Sequence, residues 1–342
     1  MPYEPLSGSY RIRLDANESY VDWQAVLGDE IRDAVSKVVL DRYPDPYATQ
    51  VCALFASYYS IDPQHVTAGN GLDEVIAVIL SSFLQKGERV LTFIPDFSMY
   101  AFYCNLYELD CITMPKDEAL QPDLEKAAAL IREQDIRAVI FSNPCNPTSR
   151  GLTQEQVRAF IESVPDTLVI LDEAYMDFYD RSLIREATAY GNVILLRTCS
   201  KALALAGIRL GFAVANPALT SALRAAKSPY NVNALTQAVA AVVLSHPDRL
   251  REATDQMVCA TRELYDGICA ICGDGVAVGN PCTNFVFLRV GTERAKRIDN
   301  MLRSRGIAIR RMGEYLRVTA GSPTENADFL TEFAKVWKEC AQ

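Results

Sequence analysis

The chain has 342 residues and a formal charge of −9 at pH 7, with 49% hydrophobic and 23% charged residues. That length accommodates one large domain with a smaller one, and the composition is ordinary for a soluble globular protein. The acidic balance argues against a general binder of nucleic acid or anionic membrane, and no run approaches the roughly 20 apolar residues of a membrane span.

The opening segment, MPYEPLSGSYRIRLDANES, lacks the charged start and apolar core of a secretory signal, so a cytoplasmic location is expected. Ten cysteines at 52, 104, 111, 145, 199, 259, 269, 272, 282 and 340 show no disulfide-scaffold spacing and read mostly as small buried hydrophobes. Cys269 and Cys272 form a C-x-x-C without a second pair or clustered histidines, and i, i+3 spacing on a helix explains them; no metal is expected. With only His65 and His246 and no G-x-S-x-G elbow, a Ser-His-Asp hydrolase is not supported.

Residues 1–34 read as an arm, with LDANES as a polar loop and a short helix over 23–38. In LDRYPDPY, Pro44 and Pro46 forbid a continuous helix and hold Tyr43 and Tyr47 on a stiff segment; a helix follows over 49–59. VTAGNGLDE (66–74) reads as a loop whose two glycines lead into an apolar helical run over 75–84. Backbone amides at such a helix start, with the dipole behind them, form an anion site, so Gly71, Leu72 and Asp73 are candidates for holding a phosphate. Neither nucleotide-binding glycine pattern, G-x-x-x-x-G-K-[ST] or G-x-G-x-x-G, occurs.

RVLTFI (89–94) reads as a strand broken by Pro95, leaving Phe97 either to lie on a planar ring or to serve as core. An amphipathic helix over 124–134 precedes the strand AVIF (138–141), which runs into SNPCNPTSRG. There Pro144 and Pro147 keep the path extended and let Asn146 face a cleft. Thr153 and Gln156 make a capping-box pattern for a helix over 153–163. LVIL (168–171) is another buried strand, and Asp172 on its end needs a cationic or protonated partner, because an unpaired buried charge is costly. NVILL (192–196) is a third, with Lys201 just past it among Thr198, Ser200, Gly207 and Arg209.

Asn146, Asp172 and Lys201 thus all fall just beyond strand carboxyl ends, where open α/β sheets collect ligands. The recurring strand and helix argue for a mostly parallel sheet covered by helices on both faces. RLGFAVA (209–215) follows too closely for a crossover helix and reads as an antiparallel strand. A long helical region over 236–270 then leads to strands at 284–290, 307–310 and 315–318 and helices at 294–305 and from 326, which suggest a small α/β domain.

One lysine, one acid, a tyrosine, an asparagine, an aromatic lid and several phosphate donors form the set that a pyridoxal phosphate enzyme needs. A buried carboxylate at Asp172 would keep the cofactor's pyridine nitrogen protonated, Tyr175 and Asn146 would hold its phenolic oxygen, and Lys201 would form the resting Schiff base and move the proton. Thr198, Ser200, Arg209 and the amides at Gly71, Leu72 and Asp73 would anchor the phosphate, and Phe97 would stack on the ring.

AGNGLDE, SNPCNPTS, LDEAY, TCSKALALAGIRLGF and LRVTAG, in this order, resemble the fold-type-I pyridoxal phosphate aminotransferases of classes I and II. RYPDPY, the NES of the arm and the compact length make the chain most similar to the histidinol-phosphate aminotransferase family within them. The resemblance covers nearly the whole chain. It implies a large domain over 35–245 with a mostly parallel seven-stranded sheet between helices, a small α/β domain over 246–342, and an arm over 1–34 that joins the small domain and covers the active site. It further implies that Arg317 binds the substrate α-carboxylate or the equivalent end of an amino alcohol, with Asn17, Arg310 and Tyr230 as further substrate contacts. Tyr43 would reach the cofactor phosphate of a neighbouring subunit in a homodimer. Ser149 stands where the family usually has glycine, Phe97 where tyrosine is common, and the segment between Arg310 and Arg317 is short.

The expected reaction is transfer of the amino group of histidinol phosphate to 2-oxoglutarate. The alternatives are transamination of an aromatic or other amino acid, decarboxylation of a phosphorylated amino acid of the threonine-phosphate type, and a non-catalytic ligand-binding protein that kept the fold.

Overall fold

The computed structural model describes residues 6–273 and 275–340. A first strand, β1 (Ile12–Leu14), is followed by α1 (Trp23–Ser36), α2 (Thr49–Tyr59), β2 (Val66–Gly69) and α3 (Gly71–Phe83). The segment 66–74, expected as a loop, is half strand. Its first four residues pair antiparallel with the strand at 211–215, and the helix starts at Gly71, four residues before the expected apolar run. The pairing buries all four strand residues, which loop chemistry at Gly69 and Gly71 had masked.

Then come β3 (Arg89–Ile94), α4 (Met99–Leu106), β4 (Asp110–Pro115), α5 (Leu124–Glu133), β5 (Ala138–Ser142) and α6 (Gln154–Ser163). The capping box opening α6 is formed by Thr153 and Gln156. The third group is β6 (Leu168–Asp172), β7 (Val193–Thr198), β8 (Gly211–Ala215) and α7 (Pro217–Ala226). The long helical region expected over 236–270 is two helices, α8 (Ala234–Leu244) and α9 (Pro247–Cys272). Pro247 has no amide hydrogen to continue the first, so it opens the second instead. The chain ends with β9 (Phe285–Arg289), α10 (Thr292–Ser304), β10 (Ile307–Met312), β11 (Tyr315–Thr319) and α11 (Pro323–Glu339).

Seven strands form one sheet in the order β2-β8-β7-β6-β5-β3-β4, and within it only β8 runs against its neighbours. Residues alternate between its faces. Val139, Phe141, Val169, Leu171 and Leu195 pack with α2, α5, α6 and α8, while Ile140, Ile170, Ile194 and Leu196 pack with α3, α4 and α7. Burial on both faces explains why β5 and β7 read as unbroken apolar runs. A second sheet, β1-β10-β11-β9, has its own core with α9, α10 and α11. The arm therefore joins this sheet, because β1 pairs parallel with β10. The short span between Arg310 and Arg317 is a tight hairpin in which the two arginines are cross-strand partners.

Candidate active site

The parallel strands β5, β6 and β7 all point their carboxyl ends at one cleft of about 640 Å³. Asn146, Asp172, Thr198, Ser200 and Lys201 line it from these strand ends, Leu72 and Asp73 from the start of α3, Phe97 from the loop after β3, and Asn17 and Arg317 from the arm and second sheet.

Asp172 is 4% exposed. Its carboxylate accepts from the Tyr100 hydroxyl at 2.7 Å and from the Ala174 amide at 2.9 Å. Burial pushes its pKa up to about 6 against those two hydrogen bonds. The turn after it is pinned by a buried Arg197, which lies 3.2 Å from Glu173 and 2.9 Å from Asp177 and sits over the Tyr59 ring. That clasp fixes Tyr175 between the strand end and the cleft.

Lys201 donates to the Ala16 carbonyl at 3.1 Å, with its amine 5.8 Å from the centre of the Tyr175 ring. Burial, then the positive charge of Arg317, lowers its pKa to about 8. The two groups that would do acid–base work are thus both shifted toward neutrality, in the direction catalysis near neutral pH requires.

At the other end, the start of α3 faces Arg209 and Ser200. Gly71 has φ of +80°, and a Cβ there would meet the Arg209 guanidinium at 2.8 Å. The left-handed backbone favours glycine, and any side chain there would have to push the Arg209 guanidinium aside. Arg209 is itself left-handed, with φ of 54°. Its guanidinium lies 3.3 Å from the Asp73 carboxylate and 3.4 Å from the Ser200 hydroxyl, which brings a cation, a hydroxyl and a carboxylate around one small volume.

Arg317, 5% exposed, donates to the Asn146 side-chain carbonyl at 2.6 Å and to the Asp15 carbonyl at 2.7 Å. Asn17 donates to the Tyr175 hydroxyl at 2.8 Å, and Asn284 ties the arm to the second sheet through the Asn17 carbonyl at 3.1 Å. The arm therefore crosses the cleft with its carbonyls and one amide side chain facing inward.

The sequence model for aminotransferase class I and II matches residues 11–333. A histidinol-phosphate aminotransferase of Clostridium kluyveri is 32% identical over 99% of this chain and 96% of its own length, and one of Clostridium novyi is 33% identical over 96% and 92%. The chain belongs to the class I and II aminotransferases. Among solved structures, a histidinol-phosphate aminotransferase from Sinorhizobium meliloti in complex with pyridoxal-5'-phosphate matches with a TM-score of 0.88 at 25% identity, covering 97% of this chain and 92% of that one.

The cofactor of this aminotransferase is pyridoxal phosphate, and the residues present fit it. A buried carboxylate held near pKa 6 suits a protonated pyridine nitrogen, a lysine lowered to about 8 suits a carbonyl, and the glycine-bounded pocket at α3 with Arg209 suits a phosphate.

Among the sequence candidates, Asn17, Leu72, Asp73, Phe97, Asn146, Asp172, Tyr175, Thr198, Ser200, Lys201, Arg209 and Arg317 are brought together in the cleft wall. Gly71 is not itself part of the wall but lies against Arg209 beside it, and Tyr43, Tyr230 and Arg310 also lie outside that wall in the single chain. Tyr43 stacks on Tyr230 with ring centres 4.5 Å apart, and Arg310 sits across the hairpin from Arg317. Sequence reasoning missed Tyr100, although the demand of Asp172 for a protonated partner was the signal that pointed to a hydroxyl. It also missed the Arg197 clasp, whose two carboxylates lie in the same DEAYMD run as Asp172.

Proposed function

We propose that this aminotransferase moves the amino group of histidinol phosphate to 2-oxoglutarate. The observation that carries the reading is the facing of Lys201 and Asp172 in one cleft, each shifted toward its neutral form, with the Arg317 fork at the same opening. The near full-length likeness to histidinol-phosphate aminotransferases supports the choice of amino donor.

When bound, pyridoxal phosphate supplies a carbonyl carbon that holds the donor's nitrogen and a ring that withdraws electrons from it. Asp172 holds the proton on the ring nitrogen. Tyr175 and Asn146 would donate toward the phenolic oxygen, Phe97 would cover one ring face, and Thr198, Ser200, Arg209 and the amides of Gly71, Leu72 and Asp73 would hold the phosphate. Lys201 is the attachment point for the carbonyl at rest. Freed by the donor's amine, its Nζ would be the base that takes the proton from the donor's α-carbon and delivers it to the carbon on the other side of the donor's nitrogen. Arg317 offers a two-pronged site to the α-carboxylate of 2-oxoglutarate, and Asn17 steadies Tyr175 from the arm. Arg310 and Tyr230 are assigned to the far end of the substrate.

We take residues 35–245 as the cofactor-binding domain and 246–342, joined by the arm 1–34, as the small domain. We also infer a homodimer. Leu40 is 83% exposed, Tyr43 81% and Tyr47 57%, an apolar strip on the proline-stiffened segment that a second copy would cover. In that arrangement Tyr43 would complete the phosphate site of the neighbouring subunit.

The deciding experiment is a titration of the holoenzyme with L-histidinol phosphate in the absence of a keto acid, followed by absorbance. Conversion of the cofactor band to that of pyridoxamine phosphate is expected. A spectrum unchanged by histidinol phosphate, but converted by an aromatic amino acid, would replace the donor and keep the reaction.

A further inference from the structure

Behind the cleft wall lies a buried ion pair that the reaction does not use. Asp96, two residues past β3, and Lys116, one residue past β4, have side chains only 2% exposed each and stand 3.3 Å apart. Burial works against the Lys116 charge, but Asp96 and Cys145 outweigh it and hold the amine above its ordinary range. A buried pair of this kind is a weak source of stability, since apolar residues of the same volume often serve as well.

Its hydrogen bonds point elsewhere. One Asp96 oxygen accepts from the Phe97 amide at 2.8 Å and from the Ser142 hydroxyl, and the other accepts from the Ser142 amide at 3.4 Å. The Ser142 hydroxyl in turn accepts from the Asn146 amide at 3.2 Å. Lys116 donates to the Cys145 sulfur at 2.9 Å, the residue immediately before Asn146. The pair thus grips two loops, one carrying Phe97 and the other carrying Asn146, and Asn146 accepts from Arg317 at 2.6 Å.

We propose that Asp96 and Lys116 are positioning residues, a clamp between the loops after β3 and β5 that sets Phe97 against the cofactor ring and Asn146 against its oxygen and the Arg317 fork. The proposal rests on the cofactor reading of this cleft and not on the identity of the amino donor. Neither residue touches the cleft through its charge, so the effect travels through Ser142 and the two loop backbones.

The test uses Asp96→Leu, which removes the oxygen that Phe97 and Ser142 share, Lys116→Met and the double variant. Each is measured by urea unfolding of the apoprotein, by affinity of the apoprotein for pyridoxal phosphate, by visible circular dichroism of the bound cofactor, and by kcat and KM for the 2-oxo acid. Each single variant leaves one buried charge without its partner and unfolds at lower urea, while the double variant removes both charges and recovers the midpoint. In the recovered double variant, cofactor affinity is expected to fall and KM to rise on the order of tenfold, short of the roughly 10²-fold that an ångström of misplacement costs. The circular dichroism of the bound cofactor is expected to change with them. A double variant with wild-type stability, cofactor affinity, KM and circular dichroism would overturn the clamp.

Should the double variant not fold, Ser142→Ala cuts the link to Asn146 with the ion pair intact. The same changes in KM and circular dichroism are expected, and wild-type values refute the proposal. A wild-type protein that takes up no pyridoxal phosphate would sink the cofactor reading and the clamp with it, whereas normal uptake in the wild type with unaffected variants sinks the clamp alone.

Discussion

Replacing Asp172 by Asn separates what the buried carboxylate costs the fold from what it does for the reaction. Its pKa of about 6 in the folded protein, against an ordinary 3.8, means that ionising it in the cofactor-free cleft costs about 3 kcal/mol at neutral pH, at 1.36 kcal/mol per unit. The sign follows from linkage: a carboxyl raised on folding favours the folded state below its unfolded pKa, and that advantage is lost as pH rises through about 6. Asparagine never ionises, so it escapes the cost. It must also leave one donor at Tyr100 or Ala174 less well satisfied, a loss of about 1–3 kcal/mol that does not depend on pH. The difference in apoprotein stability between variant and wild type should therefore move by about 2 kcal/mol in the variant's favour between pH 4, where the unfolded carboxyl is already half ionised, and pH 7. Urea unfolding at both values measures it. Turnover should move the other way, falling on the order of 10²- to 10³-fold as the preorganised charge at the ring nitrogen is lost. A stability difference that is the same at both pH values would refute the burial argument.

Three further outcomes are expected. Capture of pyridoxal phosphate by the apoprotein needs the neutral Lys201 amine, so its rate should rise about tenfold per pH unit below about 8 and level off above it; stopped-flow absorbance that keeps rising toward 10.5 would show an unshifted lysine. Arg317→Ala should raise KM for 2-oxoglutarate by about 10- to 100-fold, the loss of charged hydrogen bonds worth about 1.5–3 kcal/mol, with cofactor retained; unchanged KM would remove it from the carboxylate site. Tyr43→Ala should weaken both self-association in sedimentation and retention of cofactor, and a wild-type protein that sediments as a fully active monomer would discard the dimer.

The strands that place the site were readable because β5, β6 and β7 are buried on both faces and so appear as apolar runs, each ending at a polar residue that the fold aims at the cleft. Lys201, Asp172 and Asn146 could be placed by that logic alone. What could not be read is what depends on contacts distant in sequence. Tyr100 meets Asp172 across 72 residues, Arg317 meets Asn146 across 171, and no local pattern marks either pair. The glycines of 66–74 dominated the reading of that stretch, while the pairing that makes its first half a strand comes from residues 211–215. Nothing local marks Asp96 and Lys116 as a buried pair, because a charge and its burial are decided by different elements.

The shifts of Asp172 and Lys201 have one physical source and therefore one joint consequence. Each residue is displaced by about 2 units or more, so holding both in their usual charged forms in the cofactor-free cleft costs about 3 kcal/mol apiece. A protonated ring nitrogen beside Asp172 relieves the first cost, and a carbonyl that consumes the neutral amine relieves the second. A ligand with only one of these groups relieves one. A phosphate at Gly71 and Arg209 aligns the ligand so that both meet their partners, and discrimination against other phosphorylated aldehydes then comes from the carboxylate at the far end of the ring. With the cofactor placed as proposed, the cleft would be selective because its unfavourable charges would lie at opposite ends of one planar molecule.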